Sequence, residues 1–165
     1  KSFEKAAAID KGYLPAAANL ARLDAMEKKP GEARKRFEAV LEKDPKNIQA
    51  LLAIAELRAR EGASADEVAG LIGKAIAADG KAVGPRLALI GLHLNSKDTR
   101  RAISAAQEGL AALPDDPQLT FALGRAQQAA GDTDAALSTF GKLQQQQPNS
   151  PHSRLLSAHT TSPAL

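Results

Sequence analysis

The chain has 165 residues, of which 44% are hydrophobic but only 3% aromatic, so its apolar content is mostly alanine and leucine; that mixture suits closely packed helices and argues against a β-sandwich. Its 22 basic and 19 acidic residues leave a net charge of +3, interspersed as in EKKPGEARKRFEAVLEKDPK, which gives no nucleic-acid footprint. There is no cysteine for a disulfide or a thiolate metal site, and no apolar run approaches the roughly 20 residues of a membrane span.

Residues 1–9 read as the second helix of a truncated unit, with Phe3 and Ala6 on its apolar side, and Asp10, Lys11 and Gly12 break it. The chain begins at Lys1, inside a unit, without an initiator Met or a signal sequence; it is therefore expected to be a fragment of a longer protein. Tyr13 lies in a turn, its ring expected to wedge between neighbouring units. The first complete unit starts near Leu14. Its first helix opens with Pro15, where a missing N–H costs nothing, and carries Leu20, Ala21 and Leu23 on its apolar side. Pro30 opens the second helix, in which Ala33, Phe37 and Val40 stand at i, i+4 and i+7 on one face until Pro45 stops it.

The same pattern then recurs. Pro45 and Pro114 are 69 residues apart and Pro114 and Pro148 are 34 apart, so the period is 34 with one extra residue in the skipped unit. In that second unit the first helix starts near Ile48 and stops at Gly62, a left-handed cap. Ser64 and Glu67 predict a reciprocal capping box for the second helix, where Val68, Ile72, Ala75 and Gly80 fill the repeated places. Gly70 and Gly73 lie inside that helix and soften it. The third unit starts near Val83 with the most apolar first helix of the chain, and Asp98 caps its second helix, which carries Ala102, Ala106 and Gly109. The fourth starts at Pro117; Gly131 closes its first helix, Asp132 caps its second, and Ala136, Phe140 and Leu143 precede Pro148. Gln144 to Gln147 read as a polar helix end. From Pro151 the pattern fades, leaving one short capping helix over 152–158 and a frayed end. The expected organisation is one repeat domain over 1–165: a half-repeat 1–13, repeats 14–47, 48–82, 83–116 and 117–150, and a partial capping helix and tail 151–165.

A 34-residue helix–turn–helix unit with this pattern resembles the tetratricopeptide repeat. Leu20, Ile54, Leu89 and Leu123 stand at the family's large apolar place in the first helix. Ala21, Ala55 and Gly124 stand at the small place beside it, and Ala33, Ala102 and Ala136 at the small place of the second helix. Phe37 and Phe140 take its aromatic place. The departures are Ile90 at a small place, with Gly91 one residue late, Gly80 in place of a proline, and no tryptophan anywhere. The resemblance implies an all-α solenoid, a right-handed superhelix of helix pairs that acts as a protein-interaction scaffold.

Three stretches, AAANLARLDAMEKKPGEARKRFEAVLEKDPKN, ALPDDPQLTFALGRAQQAAGDTDAALSTF and RLALIGLHL, are also similar to the tetratricopeptide lipoproteins of the bacterial exosortase (PEP-CTERM) protein-sorting system. That resemblance implies a bacterial envelope protein, on the periplasmic side, in a setting of exopolysaccharide and surface-protein export. Its lipid-bearing cysteine would lie upstream of Lys1. An accessory or regulatory domain of a larger enzyme, such as a glycosyltransferase, and a cytoplasmic location are the alternatives.

In such a family the first helices line an inner groove that holds an extended peptide or a partner's helix. Carried onto this chain, the innermost row is Ala18, Leu52, Leu87 and Phe121; one turn on come Arg22, Glu56, Gly91 and Arg125; then Met26, Arg60, Asn95 and Ala129. Phe121 either packs against a neighbouring helix or anchors a ligand with Leu52 and Leu87. Arg22, Arg60 and Arg125 either edge that groove, favouring a segment with some negative charge, or are plain solvated surface. Asn19 alone does not make a carboxylate clamp. End-to-end self-association through the truncated units is a further possibility for the partner.

Chemistry is sparse. His93 falls at a packing place, and His152 and His159 lie in the tail, without metal-ligand spacing. Asp115-Asp116 sits before a helix N-terminus, where negative charge is favourable. Ser2-Phe-Glu-Lys5 matches a catalytic SxxK by letter only, and no phosphate-binding glycine motif is present. No enzyme, cofactor, metal, nucleic-acid partner or membrane contact by this segment is expected.

Overall fold

A computed structural model describes residues 13–146. The expectations for Phe3, Ala6 and Ser2, for the half-repeat's helix, and for Pro148, His152, His159 and the capping helix fall on residues outside that range. Among the described residues the fold is all-α: α1 Leu14–Met26, α2 Pro30–Lys43, α3 Ile48–Arg60, α4 Ala65–Ala78, α5 Val83–Asn95, α6 Thr99–Ala112, α7 Pro117–Ala129 and α8 Thr133–Gln146. First helices of 13 residues alternate with second helices of 14, and they start at the places the sequence period sets. The chain divides into two compact units between Pro85 and Arg86. In the first, α1 packs on α2, α2 on α3, and α3 on α4; in the second, α7 packs on both α6 and α8.

Each first helix ends in the same way. The backbone N–H of Lys29, Ala63, Asp98 and Asp132 donates to the carbonyl of Asp24, Arg58, His93 and Gln127, at 2.8, 3.0, 2.9 and 3.0 Å. That six-residue closure forces the preceding residue into the left-handed region. Gly62 (φ 86°) and Gly131 (φ 83°) adopt it freely, whereas Lys28 (φ 59°) and Lys97 (φ 58°) adopt it against the Cβ penalty. The second helix Pro30–Lys43 opens with Pro30 and has no side-chain cap, whereas the later second helices are capped by a side chain. Asp98 accepts from Arg101 N–H at 3.0 Å and Asp132 from Ala135 N–H at 3.2 Å. Arg101's backbone N–H, and then its guanidinium, hold the Asp98 carboxyl below its ordinary pKa. The expected capping box at Ser64 forms by half. Ser64 Oγ accepts from Glu67 N–H at 3.2 Å, but the Glu67 carboxylate turns to Arg58 at 2.6 Å. A charged partner on the neighbouring helix outcompetes a backbone amide for that carboxylate. Asp116 caps α7 through the N–H groups of Gln118 and Leu119, which accounts for the acid pair there.

The core is built from small and large residues in matched places. Phe140 needs Gly124 opposite it: a Cβ on Gly124 would lie 2.5 Å from Phe140 Cε1. Ala21 and Phe37 share one buried cluster in the first unit. The departure at Ile90 has the same logic inverted. Ile90 is 1% exposed, and Ala106, in register with Phe37 and Phe140, is 0% exposed, so the large residue has moved to the first helix and the small one to the second. Between successive repeats the exchange recurs. Buried Val40 shares a cluster with buried Ala50, whereas Gly109 lies under buried Leu119, whose methyl carbons are 3.2 Å from where a Gly109 Cβ would stand.

Glycines with and without a tight neighbour should therefore respond oppositely to alanine. Gly124→Ala is expected to cost about 1–3 kcal/mol through overpacking against Phe140. Gly70→Ala and Gly73→Ala, with nothing within 4 Å of the new methyl, should each add about 0.5–1 kcal/mol. Urea melts of the three variants check the signs. Phe140→Ala and Phe37→Ala should each cost about 3–5 kcal/mol in the same assay, and a loss under about 1 kcal/mol would refute the repeat register.

Candidate functional site

The twelve groove residues expected from the sequence all lie outside the buried core. On α1, Ala18, Arg22 and Met26 follow one another at i, i+4 and i+8, all exposed. On α3, Leu52 is half-buried while Glu56 and Arg60 are exposed. On α5, Leu87 and Gly91 are half-buried and Asn95 is exposed; on α7, Phe121 is half-buried, with Arg125 and Ala129 exposed. Each first helix thus offers an apolar residue about one turn in, with polar or small residues beyond it on α3, α5 and α7, and Arg22 and Met26 beyond it on α1.

Phe121 packs on an aromatic of its own repeat. Its ring stands 5.9 Å from that of Phe140, tilted by 48°, a contact within the favourable range for aromatic pairs. Phe121 is thus half-buried and held against Phe140. The arginines divide. Arg60 Nη2 donates to Glu56 Oε1 at 2.6 Å, an exposed pair one turn apart on α3. Arg22 and Arg125 remain exposed. Gly91 leaves open space beside Leu87, with nothing within 4 Å of a would-be Cβ.

One set of residues escaped the sequence reading. Asp24, Arg58, His93 and Gln127 recur at the repeat spacing, and at three of them a polar side chain ties the first helix to the second. Asp24 is buried and its carboxylate accepts from Arg36 Nε and, at 3.4 Å, from Nη2. Gln127 Oε1 accepts from Thr139 Oγ1 at 2.7 Å. Arg58 donates to Glu67 at 2.6 and 2.9 Å and to Glu61 at 2.7 Å. Glu61 first, then Glu67, raise the Arg58 pKa further above its ordinary value. Glu61 also accepts from Arg34 at 2.8 Å, joining repeat one to repeat two. The recurrence at one place in each unit was the available signal; four different residue types concealed it. His93 is buried at its packing place, as the sequence suggested.

Among the described residues no group of three His, Asp or Glu side chains is placed to hold a metal ion, and no helix is long and apolar enough to cross a membrane. The arrangement can bind by shape, apolar contact and scattered charge. Paired helices with a matched-size core and exposed first-helix faces define the tetratricopeptide class of helical-repeat protein. The sequence matches the tetratricopeptide repeat profile over residues 1–57 and 93–159, and the chain belongs to that family. No curated protein matches it in sequence. Its fold is similar to that of several solved structures. TTC0263, a tetratricopeptide protein of Thermus thermophilus, is 18% identical with a TM-score of 0.66, over 95% of this chain and 86% of that one. A MamA protein is 15% identical with a TM-score of 0.65, over 99% of this chain and 84% of that one. YrrB, a tetratricopeptide protein with an unusual peptide-binding site, is 19% identical with a TM-score of 0.61, over 97% of this chain and 84% of that one.

The buried polar ties are testable. A double-mutant cycle of Asp24→Ala and Arg36→Ala should give a coupling of about 1 kcal/mol, the partial exposure of Arg36 lowering it from a fully buried charged pair. Additive single losses in thermal melts would show that the pair does not hold α1 to α2.

Proposed function

We propose that this chain is a scaffold of the bacterial cell envelope that binds an extended peptide or a partner's helix along its first helices, in the export of exopolysaccharide and surface proteins. Membership of the tetratricopeptide family supports a protein-interaction scaffold generally. The observation that carries the binding reading is the half-apolar outer side of the first helices within each unit: Leu52 in the first, and Leu87 in the second, are half-buried outside the core. Partly covered apolar side chains on a fixed backbone bind with little ordering cost. Exposed Arg22 and Arg125 favour a ligand with some negative charge. A peptide-binding site on YrrB, a protein of similar fold, fits this reading. The envelope and export setting rests on the sequence stretches similar to exosortase-linked lipoproteins.

The test is capture from bacterial envelope and cytosolic extracts by the native chain and by a Leu87→Glu, Arg125→Glu variant of unchanged helicity. Phe121 is left intact because it supports Phe140. The native chain should retain an envelope partner that the variant loses by about tenfold or more. Equal capture by both would move binding to another face, and a partner only from cytosol would remove the envelope assignment.

A further inference from the structure

The helix α4 is held unevenly along its length. Its first turn is pinned twice. Ser64 Oγ accepts from Glu67 N–H at 3.2 Å, and the Glu67 carboxylate accepts from the Arg58 guanidinium of α3 at 2.6 and 2.9 Å. Asp66 and Glu67 also place negative charge where a helix N-terminus favours it. The other end is weaker. The closing hydrogen bond of α4, from Asp79 N–H to the Ala75 carbonyl, is 3.4 Å long. The same bond is 2.9 Å in α2, from Asp44 to Val40, and 2.9 Å in α6, from Leu113 to Gly109. Pro45 and Pro114 then stiffen the exits of α2 and α6, whereas Gly80 stands at that place after α4.

Between the two ends of α4 lie Gly70 and Gly73. Packing gives no reason for either glycine, because nothing stands within 4 Å of a Cβ built on it. Gly109 in α6 differs, since Leu119 fills the space beside it. A glycine inside a helix favours the unfolded chain, because it gives up more backbone freedom than any other residue. Beyond Gly70 the buried side chains of α4 are Ile72 and Ala75, where α2 buries Phe37 and Val40 at the same places. Less apolar surface thus holds a stretch of weaker helix than in α2.

We infer that residues 70–78 form a segment that unwinds locally while the first turn of α4 and the remaining helices stay native. Openings of this kind are sub-global, with a free energy below that of unfolding the whole chain. Leu71 leaves with the segment, and it packs against the buried cluster that contains Ile54 and Leu57 of α3. Each opening therefore bares part of the covered side of α3, and each closing covers it again. Ile54 and Leu57 are separate from Leu52, Glu56 and Arg60, so the motion stands whether or not a ligand uses the outer residues of α3.

The experiment is hydrogen exchange of the full chain, read as protection factors, in the native sequence and in a Gly70→Ala, Gly73→Ala variant. Amides of residues 74–79 should be protected about tenfold less than those of residues 39–44 and 108–113, which close the interior helices α2 and α6. Low urea should leave exchange at 74–79 unchanged, because a local opening exposes little surface. The double substitution should slow exchange there by about tenfold. Equal protection in the three helices would overturn the inference. So would exchange at 74–79 that rises with urea in step with global unfolding, since the opening would then be that of the whole chain. Exchange unchanged by the two alanines would show that the glycines do not set the opening, and would overturn it as well.

Discussion

Every repeat depends on a size match between one place on its first helix and one on its second. Alanine faces phenylalanine in repeat one by register, glycine faces phenylalanine in repeat four at a distance that admits no Cβ, and isoleucine is paired with alanine in repeat three. Packed interiors tolerate neither voids nor overlap, so the two places share a roughly fixed volume and can exchange which of them is large. The same exchange governs Val40 with Ala50 and Gly109 with Leu119 between repeats. With few aromatics available, the chain fills its interior by this alternation.

Helix pairing is then secured at the turn. The left-handed residue and the six-residue closure set where each first helix stops, and Pro30 in repeat one, or a side-chain cap in the later repeats, sets where the next helix starts. At the residue whose carbonyl accepts that closure, the chain also places its polar ties: Asp24 to Arg36, Arg58 to Glu67, Gln127 to Thr139. A hydrogen bond there has one geometry, whereas apolar contacts alone permit sliding, so these ties specify register within a pair. Arg34, Glu61, Arg58 and Glu67 carry the same principle from repeat one to repeat two.

These constraints use the core side of every helix and leave the other side of the first helices uncommitted. That is the physical basis of a binding face: residues outside the core, held at i, i+4 spacing along each helix. Phe121 shows the link most directly. Its ring rests on Phe140, which in turn requires Gly124, so the shape of the exposed face depends on a glycine in the core.

The sequence by itself determined the period, the helix boundaries, the caps at Asp98, Asp116 and Asp132, and which residues face outward, because these follow from spacing along the chain and from residue chemistry. Helical periodicity places Ala18, Arg22 and Met26 on one face whatever surrounds them. Tertiary structure alone decided why Ile90 stands at a small place, because the answer lies sixteen residues away in Ala106. It decided that Glu67 leaves Ser64 for Arg58, and that Phe121 is held by Phe140. Each of these is a pairing between residues on different turns or helices. Periodicity fixes the direction in which a side chain points, but the identity of what it meets depends on packing in three dimensions.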